Sequence, residues 1–449
     1  MRPTLIIRKL SIGVLISSLA IIAFTVIINL SLFDEEPLPE VVDIINLSPM
    51  PLDRNNSYFS LMGIASDSKD DMAESGIKLI KRYRENRDIK HLDELTKQDY
   101  EDILGSSKEY DRWIELYPRC TSRREFSCLT KLSNTLKSIP PTNQNLQMML
   151  KRFELIQKSA HFEGIGDMTI GTPILPFDKI MILSHIKLAY LYQQKEYQTF
   201  LRQLKVDMFF WKDLLVNGNM LITKMVAVAV LWTDLQYLSE FIGKNDLSEE
   251  NYLFAIELLK PLTNKELDIG ESFIFEAHSF YPSLVNMSTK ELDFAFGSFS
   301  DLLNLLIQPN STSNIHYENF IKPIVALSKL SASEFYHALK IEKQNHQKAM
   351  EFKFQLNSLY NLGGKMLLPA VSWSASEYIS RMHDLNGMIR LVKLQIEIKQ
   401  NAQNTTIETL IKKSKHSNLY TNQPVNFDSG KNTISFECLS KGTLCKVAL

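Results

Sequence analysis

Thr263 and Glu266 stand three apart, the spacing of a capping box, and a helix started there carries Asp268, Glu271 and His278 within about 80° of one another at 100° per residue. Two carboxylates and an imidazole on one stripe are the residue types that bind a divalent metal or divide general acid and base roles. Phe275 sits in the middle of the stripe, so a solvated helix face competes with the chemical reading. A second acidic group, Asp67, Asp70, Asp71 and Glu74, could suggest calcium, but it lacks the spacing and glycine of an EF-hand loop. Acidic residues leading into a helix near Met72 complement its dipole. Phe209, Phe210 and Trp211 could line a lipid or peptide groove, or belong to a helical core.

The familiar catalytic motifs are missing. There is no GxSxG and no HExxH, and Gly363-Gly364-Lys365 follows Leu359 where a phosphate loop needs glycine and precedes Met366 where it needs Ser or Thr. The nine histidines are scattered; His337 and His346, nine apart, fall on opposite faces of any shared helix. No metal and no cofactor are expected. The four cysteines form two local pairs, Cys120 with Cys128 and Cys438 with Cys445, neither with a CxxC spacing. Three pairings are possible, and two short loops are the economical one.

The elements that must position these residues are mostly helical. After Pro140-Pro141, Thr142 is a plausible N-cap, and Leu146, Met149, Leu150, Phe153 and Ile156 follow the i, i+3, i+4 stripe of a core-facing helix. Similar periodicity recurs from Met72 to Ser414, including a long span from Tyr317 to Phe352 with a possible break. Met220 to Trp232 is too short and carries Lys224, so it reads as a central buried helix rather than a second membrane span. Gly164 to Pro176 reads as an irregular connection that divides a first helical lobe, 57–163, from a second, 177–415. In the tail, 420–449, Pro424–Phe427 and Thr433–Phe436 flank a turn and resemble a β-hairpin, with Leu444–Leu449 as a third strand. No fixed repeat is present. The fold class read from these patterns is all-α: a multi-helix bundle or irregular α-solenoid with a small C-terminal β-hairpin.

Residues Ser11 to Phe33 form one apolar run, with Arg2, Arg8 and Lys9 before it and Asp34, Glu35, Glu36 and Glu40 after it. About 23 helical residues span roughly 34 Å, enough for a ~30 Å hydrocarbon core. A cleaved secretory signal would be shorter and would end at a small-x-small site, which this run lacks. The basic flank places residues 1–10 in the cytoplasm and the rest of the chain outside. Pro37, Pro39, Pro49 and Pro51 disfavour helix, so 34–56 reads as an extended stalk. With 50 basic and 51 acidic residues there is no field to attract nucleic acid.

Several short runs together resemble a family of uncharacterised, membrane-anchored proteobacterial proteins. They are Asn56–Gly63, the Cys120 and Cys128 pair, Asn145 leading into Leu150–Phe153, Phe209–Trp211, Ile222–Ala227 and the closing hairpin. The resemblance covers most of the folded part. It implies a bacterial inner-membrane location with a periplasmic domain, and brings no catalytic residues with it. Two function classes follow: an interaction protein acting as scaffold, chaperone-like holder or inhibitor of another envelope protein, or an envelope hydrolase acting on lipid, glycan or peptide. The missing nucleophile and metal motifs favour the first. Lipase-specific foldases are tethered helical domains of the same architecture, but no foldase motif is present.

Overall fold

A computed structural model describes residues 3–86, 127–137, 144–159, 161–166, 172–245, 247–286, 305–350, 358–371, 374–402 and 405–449. The part of the expected helical periodicity that falls on 87–126, and Cys120 with it, lies outside these residues. The protein is all-α, with one small antiparallel sheet at its C-terminal end. It divides into two compact units that do not follow the two lobes read from the sequence. Unit 1 comprises Met1–Leu47, Ala277–Ala326 and Leu339–Ser374; unit 2 comprises Ser48–Glu276, Leu327–Ala338 and Ala375–Leu449.

Unit 1 begins with α1, Pro3–Ile28. Its window Ser11–Ile28 has a mean hydropathy of 2.5 and is 6% buried, so α1 is long and apolar enough to cross a membrane. Residues 34–56 do not form an extended stalk throughout. Pro39 opens α2, Pro39–Ile45, at the first helical position, where its missing N–H costs nothing, and Val41 and Ile44 are buried. Asp34 accepts from the Asn310 and Ser311 N–H groups at the start of α13, Pro309–His316. Asn314 in turn accepts from Leu38 N–H and donates to the Glu36 carbonyl. A carboxylate at a helix N-terminus satisfies donors that have no intrahelical partner.

Unit 2 is built on α9, Leu221–Lys244, a helix apolar on nearly all sides and 83% buried over its span. A helix of that kind belongs in a core. It packs against α8, Tyr197–Asn217, and α17, Ser376–Asn401, while α7, Phe177–Gln193, packs on α8 and on α5, Cys128–Leu136. The α6 helix, Gln144–Gln157, buries Met149, Phe153 and Ile156 as its periodicity requires. The pair α3, Ser57–Met62, and α4, Met72–Asn86, approach so closely that a Cβ on Gly76 would strike the Phe59 carbonyl. At the C-terminal end, β1, Asn426–Asp428, pairs with β2, Thr433–Ser435, and β2 with β3, Lys446–Ala448, both antiparallel. Asn432 closes the hairpin with φ 47°, a left-handed conformation asparagine tolerates. Ile434 and Val447 turn inward, and β3 contacts α9 and α17. Cys438 and Cys445 are joined in a disulfide. Cys128 is not free either; its expected partner, Cys120, lies outside the described residues.

Candidate functional site

The Thr263–Glu266 capping box is present, but the helix it starts, α11, is one turn long: Asn264–Leu267. Asp268 breaks it. Its backbone is extended, with ψ 115°, and its Oδ1 accepts from Gly270 N–H at 2.7 Å, opening a new helix, α12, Gly270–Asn286. The 100° spacing therefore does not relate Asp268 to Glu271 and His278, and the predicted stripe is not a single face. Each of its polar residues has its own place. Asp268 accepts from Ser328 Oγ at 2.8 Å, and its carbonyl accepts from the buried Lys224 ammonium at 3.1 Å. Glu271 is exposed, and Lys224, whose pKa burial lowers, gains favourable charge from Glu271 and Asp268. In unit 1, His278 is buried with Nδ1 2.8 Å from the Ile44 carbonyl.

The second acidic group is also structural. Asp71 accepts from Glu74 N–H at 3.0 Å at the start of α4 and pairs with Arg54 at 2.7 Å, while Asp67 accepts from Lys69 N–H. The backbone turns that carry these acids are gathered by Arg152 of α6, which donates to the carbonyls of Ile64, Ser66, Asp67 and Asp70. Near the C-terminus, Asp384 lies beside Cys438 and Cys445, a set of metal-ligand types. The sulfurs are joined in the disulfide, and Asp384 is filled by donors from Tyr420 Oη, Leu439 N–H, Ser440 N–H and Ser440 Oγ. It binds the tail to α17 rather than a metal.

A different pair carries the strongest electrostatics among the described residues. Asp207 of α8 and Asp234 of α9, 1% and 0% exposed, meet carboxyl to carboxyl. Ser184 Oγ of α7 and Gln157 Nε2 of α6 also donate to Asp207, the latter at 2.5 Å, whereas neither Asp234 oxygen has a partner other than Asp207. Burial pushes Asp207 up to about 6, against the pull of its hydrogen bonds. Burial, with the like charge of Asp207, raises Asp234 well above the carboxylate range. Two ionised carboxylates cannot share such a site, so one proton sits between them. His185, edge-on to Tyr237 at 5.6 Å, is held near 4 by burial, hence neutral. Without solvent contact the pair can store a proton but cannot meet a substrate.

The aromatic trio divides. Phe210 and Trp211 enter the core, while Phe209 is 57% exposed. It shares a surface with α10, Glu249–Leu258, where Leu253 is 61% exposed. Lys205 joins the two helices, its ammonium 5.9 Å from the Phe209 ring, 5.3 Å from the Phe254 ring and 2.7 Å from Glu257. Val206 of α8 and Ile256 of α10 are also partly exposed.

Comparison with protein-family models, with curated proteins and with solved structures finds no match. The chemistry of the candidate residues thus rests on their geometry. Among the described residues, Asp67, Asp71, Glu74 and Asp268 are spent on helix starts, turns and ion pairs, Glu271 is an exposed countercharge to Lys224, and the one proton-sharing carboxyl pair is closed to solvent. In unit 2, the α8–α10 surface presents apolar side chains to solvent.

Proposed function

We propose that the protein is a single-pass, membrane-tethered interaction protein of a bacterial inner membrane, with its helical domain in the periplasm and another envelope protein as its partner. The basic residues before α1 and the acidic ones after it favour a cytoplasmic N-terminus. The Cys438–Cys445 bridge suits an oxidising compartment. The observation that carries the binding role is the α8–α10 surface, where Phe209 and Leu253 face solvent on adjacent helices around a lysine. Exposed apolar residues gathered in one place mark surfaces that associate. A photo-crosslinking residue placed at Phe209, and separately at Leu253, in intact cells should capture one envelope protein from both positions. Adducts with lipid alone, or none at either position, would refute the reading. A periplasm-only reporter fused after Leu449 should be active and a cytoplasm-only reporter silent.

A further inference from the structure

The end of α1 is not free of the folded chain. Asn29 is buried although it directly follows the exposed apolar helix. Its Nδ2 donates to the Thr25 and Leu359 carbonyls, each at 2.7 Å, and its Oδ1 accepts from Asn361 N–H at 2.7 Å. Gln308 Nε2 donates to the Leu30 carbonyl at 3.0 Å, and Tyr360 Oη to the Phe33 carbonyl at 3.0 Å. The Thr25 and Phe33 carbonyls lie at helix ends, where no intrahelical donor reaches them, while the Leu30 carbonyl also accepts from Phe33 N–H.

From Leu10 to Asn29 the chain covers about 28 Å at 1.5 Å per helical residue, close to the ~30 Å hydrocarbon thickness. Asn29 therefore falls at the outer edge of the hydrocarbon, and the backbone bonded to it falls there too. Around this exit, Leu32 is 85% exposed, Phe33 also faces solvent, and Leu305 is 65% exposed. Leu305 belongs to the same surface, since Leu306 O accepts from Gly363 N–H and Gln308 N–H donates to Asn361. Tyr360 lies among them with the Lys365 ammonium 5.9 Å from its ring. Tyrosine with exposed leucine and phenylalanine at one level is the usual residue mix of a membrane–water interface.

We infer that unit 1 is seated in the interfacial layer of the bilayer that α1 spans, with Leu32, Phe33, Leu305 and Tyr360 facing the lipid headgroups. This rests on the membrane-anchor reading above. The occupant is that lipid surface because the patch continues the exposed apolar side of α1 and is hydrogen-bonded to its exit. The unit is then held at the bilayer surface rather than away from it on a stalk.

The test uses the full-length protein in phosphatidylcholine vesicles, with an environment-sensitive fluorophore on Val14→Cys, Leu32→Cys or Leu305→Cys. All three positions are exposed, so labelling should leave the fold intact. Quenching is compared for nitroxides on the acyl chain, nitroxides on the headgroup, and aqueous iodide. The label at position 14 should respond to acyl-chain nitroxide, and those at 32 and 305 to headgroup nitroxide more than to iodide. If 14 responds to the acyl chain while 32 and 305 respond only to iodide, the seating is overturned and the anchor stands. If 14 does not respond to the acyl chain, the anchor reading fails and the seating with it.

Discussion

Replacing Asp234 with Asn keeps its size and removes the second carboxyl from the buried pair. Asp207, held at about 6 against an ordinary 3.8, binds a proton more tightly folded than unfolded. Such a group contributes its full stabilisation below the unfolded value and loses it as pH rises through the folded one. At about 1.4 kcal/mol for each tenfold change in proton affinity, Asp207 accounts for about 3 kcal/mol lost between roughly pH 4 and pH 7. Asp234, raised further, adds its own loss over the same range and continues it above. In Asp234→Asn that second contribution is gone while burial still raises Asp207, so the drop from pH 4 to pH 7 should shrink towards about 3 kcal/mol, that of Asp207 alone. Asp213, Glu276 and Asp384 are also raised by burial, but they contribute equally to both proteins and cancel in the difference. The assay is urea unfolding of the full chain in detergent micelles from pH 4 to pH 8, followed by tryptophan fluorescence, to which Trp211 and Trp232, buried on the same two helices α8 and α9, contribute. Parallel stability curves for wild type and Asp234→Asn would refute the shared proton.

Glu271→Gln withdraws a favourable charge from the buried Lys224 and should lower stability by up to about 1 kcal/mol, and metal analysis should find the same content in both proteins. His278→Ala removes the contact with the Ile44 carbonyl and should lower unfolding free energy by about 1 to 3 kcal/mol in denaturant titrations. Asp34→Ala uncaps α13 and should cost about 1 kcal/mol, with hydrogen exchange accelerating first at Asn310 and Ser311. Cys445→Ser opens a short loop and should cost about 2 to 3 kcal/mol in denaturant titrations, and reduction of the wild type, which also opens the Cys128 bridge, should cost more.

The helices were legible wherever one apolar face sufficed to define them, as in α6, and the tail hairpin was legible from its turn residues. The carboxyl pair was missed because isolated acids in apolar surroundings look like surface residues. A signal existed: Asp207 lies in register with Phe200, Leu204, Met208, Trp211 and Leu215, all buried, so it occupies a core position of α8. Asp234 stands likewise between Leu231 and Leu238. The 268–271–278 stripe failed for a local reason. The Asp268 carboxylate found Gly270 N–H two residues on, and that bond ended one helix and began another. The stalk was misread because proline was treated only as a breaker, although at Pro39 it starts a helix. The docking of Asn29 could not be read at all, since its partners lie some 330 residues away in sequence.

Gln395 of α17 donates at once to the Ser239 carbonyl of α9 and the Ala448 carbonyl of β3. One amide thus joins the central helix to a strand made roughly two hundred residues later. Loop closure over such a separation is slow compared with local helix formation. During synthesis, α9 must wait with its apolar flank uncovered until β3 has emerged, and for that interval the nascent chain is a client for holding chaperones and a target for proteases. A chain truncated before Lys446 should therefore leave exposed the flank of α9 that β3 covers.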